Sequence, residues 1–294
     1  MAGFNVQKSH LQTSLLARVK RLAAITLFVS LLVCTTSWAG SNLEKSVCGL
    51  EEPILFKGWS QAAGTPDRTR LSSLKNIETI SIKSKDHRIL RGYKLGKQSS
   101  KNIGTTQGYL LVVQGNAMLA EHIIGQFQPF TENGYDVCVF DYRGYGRSEG
   151  KPRFKGILSD YREIVDHLNS LGYQNSVFYG LSFGGVVLLN ALKDKPGNKR
   201  VVIDSARSRF SKYGCPKDND PINNLPENCS NFLVIAGQKD RVVTPEASKA
   251  LLKLAKQRGA SILEHPKLNH PFMDMNRSLH NYRMNAVRFF LLGR

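Results

Sequence analysis

The chain has 294 residues, with 41 Lys and Arg against 23 Asp and Glu, a formal charge of +18 and 41% hydrophobic residues. That apolar content excludes a chain disordered throughout, and five cysteines in this length exclude a disulfide-dense miniprotein. The length suits one large or two small domains.

The first element is N-terminal. Lys8, Arg18, Lys20 and Arg21 precede the apolar run from Leu22 to Cys34, and Ser37 and Ala39 follow it. A basic region, a short apolar core and small residues at the end predict a secretory signal over residues 1–39, cleaved after Ala39. The rival reading is an uncleaved membrane anchor; a lipoprotein is disfavoured because Val33 precedes Cys34 where a small residue is needed. Export to the periplasm or outside the cell is therefore expected. Removal of residues 1–39 takes away those four basic residues and no acid, so the remaining 255 residues keep +14 of the +18. Such a surface favours anionic membranes or envelope polymers. No stripe of Lys and Arg interleaved with aromatics is present, and no nucleic-acid partner is expected.

Residues 40–76, with Pro53, Gly58, Gly64 and Pro66, predict an irregular extension. From residue 77 to the end the chain reads as one domain. Residues 77–83 and 88–94 alternate with a period of two around Lys85, Asp86 and His87, which predicts an antiparallel hairpin. Short, continuous apolar runs follow at 109–113, 137–140, 176–179, 200–203, 231–235 and 260–264, as expected of parallel strands covered on both faces. Amphipathic helices are predicted at 157–171, 245–257 and 279–292. The fold class is α/β: a mostly parallel central sheet with an antiparallel N-terminal hairpin and helices on both faces. The Pro- and Asn-rich interval 206–229 predicts a loop over one end of the sheet.

Residues 177–189 place a strand, the turn Gly180-Leu181-Ser182-Phe183-Gly184 and an apolar helix in immediate succession. A serine on so sharp a turn projects above the sheet, and the helix behind it turns a positive end toward developing negative charge. Ser182 is the candidate nucleophile. It needs a base, and the base needs a carboxylate to fix its tautomer. Asp240 follows the strand at 231–235 and His270 follows the strand at 260–264, both in loops at carboxyl ends. Asp204 is the competing acid; His265 and His280 are competing bases. The amides of Phe183 and Asn116 are the candidate oxyanion donors, Asn116 standing in the loop after the first parallel strand. Met118, Leu119, Phe154, Phe210, Tyr213 and Phe272 lie near these loops and could line an acyl pocket.

Four cysteines outlast cleavage. Cys138 sits within an apolar strand, whereas Cys215 and Cys229 flank a polar loop and are a possible disulfide in an oxidising compartment; Cys48 could pair with either. No zinc-type spacing occurs, and neither metal nor organic cofactor is expected. Gly144-x-Gly146 fails as a dinucleotide fingerprint because Glu149 stands where the third glycine is due.

The segments Gln114-Gly115-Asn116-Ala117, Asp141-Tyr142-Arg143-Gly144-Tyr145-Gly146-Arg147-Ser148, Gly180 to Gly185, Gly237 to Asp240 and His270 together resemble the α/β-hydrolase superfamily, in particular its esterase-type serine hydrolases, over residues 77–292. The resemblance implies the α/β-hydrolase fold, a Ser182, His270, Asp240 triad and hydrolysis of an acyl ester or thioester, the substrate being a small molecule, lipid or acylated protein. It implies a structural turn at 141–148, with Asp141 and Arg143 tying loops together. Gln114 stands where the family commonly has His, and 206–229 is short for the usual helical lid, so little or no cap domain is expected. Two other readings share these residues: a non-catalytic binding protein of the cell envelope on the same scaffold, and an acyltransferase or peptidase using the same triad.

Overall fold

The computed structural model describes residues 41–96, 106–195, 197 and 199–293; the proposed signal and its cleavage point lie outside them. Eight strands form one sheet: β1 (Ile77–Lys83), β2 (Ile89–Leu95), β3 (Gly108–Val113), β4 (Tyr135–Phe140), β5 (Asn175–Leu181), β6 (Arg200–Asp204), β7 (Phe232–Gly237) and β8 (Ser261–His265). Their order is β1-β2-β4-β3-β5-β6-β7-β8. β1 and β2 pair antiparallel, β2 joins β4 antiparallel, and β3 to β8 run parallel. This is the α/β-hydrolase fold, with the hairpin at one edge.

The continuous apolar runs are explained by burial on both faces. β3 sends Tyr109, Leu111 and Val113 to one core cluster and Leu110 and Val112 to the other. The first cluster is covered by α1 (Glu52–Ala62), α4 (Phe154–Ser170), α5 (Phe183–Leu192) and α6 (Pro245–Gln257). The second is covered by α2 (Ala120–Ile123), α3 (Gln128–Glu132) and α7 (Arg277–Leu292), with Ile123, Phe130, Val287 and Leu291 turned inward. α5 is buried nearly all round, whereas α4 and α6 bury one stripe each. None of the described helices is long and apolar enough to cross a membrane.

The extension is more ordered than its composition predicts, because it carries the eleven-residue helix α1. Glu52 fixes that helix: one carboxylate oxygen accepts from the amides of Val47 (2.6 Å) and Cys48 (2.7 Å), and the other accepts from the amide of Phe154 at the start of α4 (2.8 Å). Glu44 accepts from Arg88 Nε and the Lys151 amide, both at 3.0 Å. The disulfide also differs from the Cys215–Cys229 expectation. Cys48 is bonded to Cys215, while Cys229 is a buried thiol that donates to the Pro226 carbonyl at 3.2 Å. The extension folds back so that the carbonyl of Cys48 lies beside Gly214 and the two bonded cysteines, 167 residues apart in the chain, meet, a proximity that local spacing cannot reveal.

Candidate active site

Parallel pairing sets the carboxyl ends of the strands side by side: Val113 is level with Gly180, Leu181 with Asp204, Asp204 with Ile235 and Gly237 with His265. Every loop leaving those ends meets at one rim of the sheet. The strand order reverses between β3 and β5, which is where open α/β sheets place their ligand crevice. Ser182 leaves β5 at that point.

The Ser182 backbone stands at φ 54° and ψ −120°, a conformation strained for any residue with a Cβ, and its amide donates to the Asp204 carbonyl at 2.7 Å. The flanking glycines are sterically required. A Cβ at Gly180 would lie 2.8 Å from the Gly184 carbonyl, and one at Gly184 would collide with the carbonyls of Val113 and Gln114. Ala117, Ser182 and Phe272, three of the six non-glycine residues at positive φ among the described residues, line a single cavity. Strain of this kind gathers at functional sites.

That cavity, of about 470 Å³, is lined by Ser182 and His270 together. His270 Nδ1 is 2.8 Å from Asp240 Oδ2, and Asp240 Oδ1 accepts from the amides of Val242 and Val243, each at 2.8 Å. Burial pushes the Asp240 carboxyl up, but the hydrogen bond and charge of His270 and the two amides more than offset it, so the group stays below the ordinary carboxylate value. An ionised carboxylate can only accept. Nδ1 therefore carries the proton, and Nε2 is the basic nitrogen of the ring.

The competing groups are engaged elsewhere. Asp204 is fully buried, with Arg283 Nη1 on one oxygen (2.6 Å) and the Tyr179 hydroxyl on the other (2.9 Å). Burial raises its carboxyl above the ordinary range, with the Arg283 charge opposing. His280 Nε2 meets Gln126 Oε1 at 3.2 Å, and His265 Nδ1 accepts the Lys267 amide at 3.2 Å.

Asn116 and Phe183, the candidate oxyanion donors, both line the cavity. Among the described residues neither amide is taken up by a protein acceptor. The loop that carries Asn116 is braced by the segment after β4. The Tyr145 hydroxyl donates to Asn116 Oδ1 (2.7 Å), the Tyr142 hydroxyl to the Gln114 carbonyl (2.5 Å), and the Ala120 amide to Asp141 Oδ1 (2.7 Å). Arg143 ties the same segment to Asp160 (2.7 Å) and Asp86 (3.0 Å). The Gln114 side chain is buried, and neither its Oε1 nor its Nε2 has a partner among the described residues.

Of the pocket residues expected from sequence, Met118, Phe210, Tyr213 and Phe272 line the cavity. Leu119 and Phe154 are instead core residues, and Phe154 stacks on Phe210 with ring centroids 5.1 Å apart. Trp59 of α1 and Arg207 also line the cavity. Sequence reasoning missed both, as it missed Arg283, whose Nε reaches Asp274 (3.1 Å) and whose Nη2 donates to the Asn269 carbonyl beside His270. Among the described residues no group of three His, Cys, Asp or Glu is placed to hold a metal ion.

Residues 104–213 match the model of the family Hydrolase_4, serine aminopeptidase, S33, a span that takes in both Asn116 and Ser182. The uncharacterised protein YfhR of Escherichia coli is 27% identical over 234 residues, covering 74% of this chain and 81% of its own length. An esterase from Pyrococcus furiosus superposes with a TM-score of 0.60 at 17% identity, covering 79% of this chain and 96% of that one. A serine hydrolase without lid from Xanthomonas campestris superposes with a TM-score of 0.52 at 17% identity, covering 74% and 92%. At such identities the likeness is one of fold.

Proposed function

We propose that the chain, which has the α/β-hydrolase fold and matches a serine aminopeptidase family model over residues 104–213, is an exported serine hydrolase cleaving an acyl ester or thioester. The observation that carries the reading is the strained Ser182 sharing one cavity with a histidine whose Nδ1 is held 2.8 Å from a carboxylate.

In the proposed cycle Ser182 Oγ forms a bond to the acyl carbon while its proton passes to His270 Nε2. The carbonyl oxygen becomes an anion facing the amides of Asn116 and Phe183 at the positive end of α5. The bond from carbon to the leaving oxygen or sulfur then breaks, and that atom takes the proton from His270. Water repeats the two steps on the acyl-enzyme, returning the acid and the free serine. Asp240 keeps the ring in place and stabilises its cation throughout. The Cys48–Cys215 disulfide supports the export reading, since such bonds persist in oxidising compartments.

The test is activity profiling of the protein with an ester, thioester and peptide panel alongside a fluorophosphonate probe. Wild type is expected to label and to turn over short p-nitrophenyl esters, and Ser182→Ala to do neither. A folded wild type that never labels would favour the envelope-binding reading. Preference for the peptides, or transfer to an acceptor alcohol in place of water, would replace esterase by peptidase or acyltransferase.

A further inference from the structure

The cavity of Ser182 and His270 is mostly hydrocarbon. Trp59, Met118, Val186, Phe210 and Phe272 form much of its wall, enough to bury an acyl chain. Arg207 breaks that pattern. It is half-buried, and apart from His270 it is the one ionisable lining side chain, tyrosine aside, that the described residues supply; no Asp or Glu lines the space. Its Nη2 donates to the Val242 carbonyl at 2.8 Å, and its guanidinium lies over the Tyr213 ring, 5.4 Å from the centroid. Among the described residues no carboxylate comes within ion-pair distance of it.

The surroundings add to that charge. Arg209, Lys212 and Arg241 stand exposed on the same two loops, and no ion pair among the described residues neutralises them. Asp220, an acid tied to this loop, is spent inward: its oxygens accept from the amides of Phe210 and Ser211 and from the Ser211 hydroxyl, each at 2.7 Å. A guanidinium held in place by a ring and a carbonyl, with further N–H groups uncommitted, matches a two-oxygen anion in the geometry that arginine recognises best.

We propose that Arg207 is a specificity-determining residue and that the substrate is an amphiphilic acyl ester bearing a carboxylate or phosphate, its hydrocarbon on the Trp59 and Phe272 wall and its anion on the guanidinium. This rests on the esterase reading and narrows it. The basic rim raises the local concentration of such substrates at the mouth, an effect that salt weakens.

Two measurements test it separately. The first compares kcat/KM for a monoacylglycerol and for the same molecule phosphorylated, both below their micellar concentrations, with a short soluble ester pair of similar leaving groups, 4-carbamoylphenyl butyrate and 4-butyryloxybenzoate, as the second arm. Wild type is expected to favour the anionic member about tenfold to a hundredfold, and Arg207→Gln to lose at least tenfold of that ratio, mostly through KM, with Arg207→Lys recovering part. A merely structural role would lower both members alike. Preference in the lipid arm alone identifies a lipid headgroup as the source of the anion; preference in both identifies any anionic ester. A ratio equal in wild type and Arg207→Gln overturns the proposal. The second measurement is calorimetric binding of octyl phosphate, octyl glucoside and inorganic phosphate to Ser182→Ala, which needs no turnover. Octyl phosphate is expected to bind tightest and to weaken at least tenfold on adding Arg207→Gln. If no ester is cleaved yet this binding holds, the esterase reading fails while the anion site stands; if octyl phosphate and octyl glucoside bind alike, the anion site fails.

Discussion

Arg283 shows how much of the site depends on a residue that touches no reacting atom. It is almost fully buried on α7 and donates to Asp204, to Asp274 and to the Asn269 carbonyl, while Asp274 Oδ1 accepts the Asn269 amide at 2.9 Å. Asp204 in turn supplies the carbonyl that holds the Ser182 amide. One guanidinium therefore links the turn that carries the nucleophile to the loop that carries the base, and acts as a positioning residue. Lysine brings the same charge but not the planar fork, so Arg283→Lys leaves part of two buried carboxylates unpaired. The expected cost is about 1–3 kcal/mol of stability, read from the urea midpoint, because the charge is kept while hydrogen bonds to buried carboxylates are lost. In the proposed hydrolase kcat is expected to fall with KM little changed, whereas a residue that only stabilises the fold would leave kcat of the folded fraction intact. A variant with wild-type midpoint and kcat refutes the linkage.

Among the elements, α1 and its disulfide carry the least anticipated arrangement. The helix brings Trp59 to the cavity and packs Phe56 against Phe183 with ring centroids 5.7 Å apart, and Cys48–Cys215 fastens the segment before it to the loop that carries Arg207 and Tyr213. A bond closing 167 residues of separation constrains the unfolded chain strongly; about 2–4 kcal/mol is typical of such links. Peptide mapping of the non-reduced protein is expected to join the peptides containing Cys48 and Cys215, with Cys138 and Cys229 alkylated only after denaturation and the melting temperature lowered by reduction. A Cys215–Cys229 peptide would overturn this. The sheet was legible because strands buried on both faces must be apolar without interruption, as 109–113 and 232–235 are, and the turn at Ser182 because its glycines and the nucleophile fall within five consecutive residues between a strand and a helix. α1 was not, since only Glu52 and Phe56 of its eleven residues are buried and Pro53 and Gly58 mask its period. Arg207, Arg283 and the disulfide depend on residues far apart in sequence, which no local spacing encodes.

For the whole molecule, charge balance and burial act in opposite directions as pH changes. The formal +18 grows as carboxylates are protonated, so self-repulsion favours unfolding in acid. Two buried carboxylates on either side of the β4 to α4 connection oppose this. Burial, with Glu121 nearby, raises Asp141 to about 7 against the pull of the Ala120 amide, and burial raises Asp160 to about 6 against the pull of Arg143. An unfolded Asp titrates near 3.9. Between about pH 4 and 7 the folded protein thus binds more protons at Asp141 than the unfolded chain does, and by linkage this group makes stability fall as pH rises through that window and leaves it level above. Asn at position 141 can still accept the Ala120 amide through Oδ1 but does not titrate. The stability of Asp141→Asn relative to wild type is therefore expected to increase from pH 4.5 to pH 7 and to level off beyond, and taking the difference cancels the net-charge effect common to both proteins. Urea midpoints at pH 4.5, 6, 7 and 8 measure it; a difference that stays constant across the series would mean that Asp141 ionises as an exposed carboxylate does.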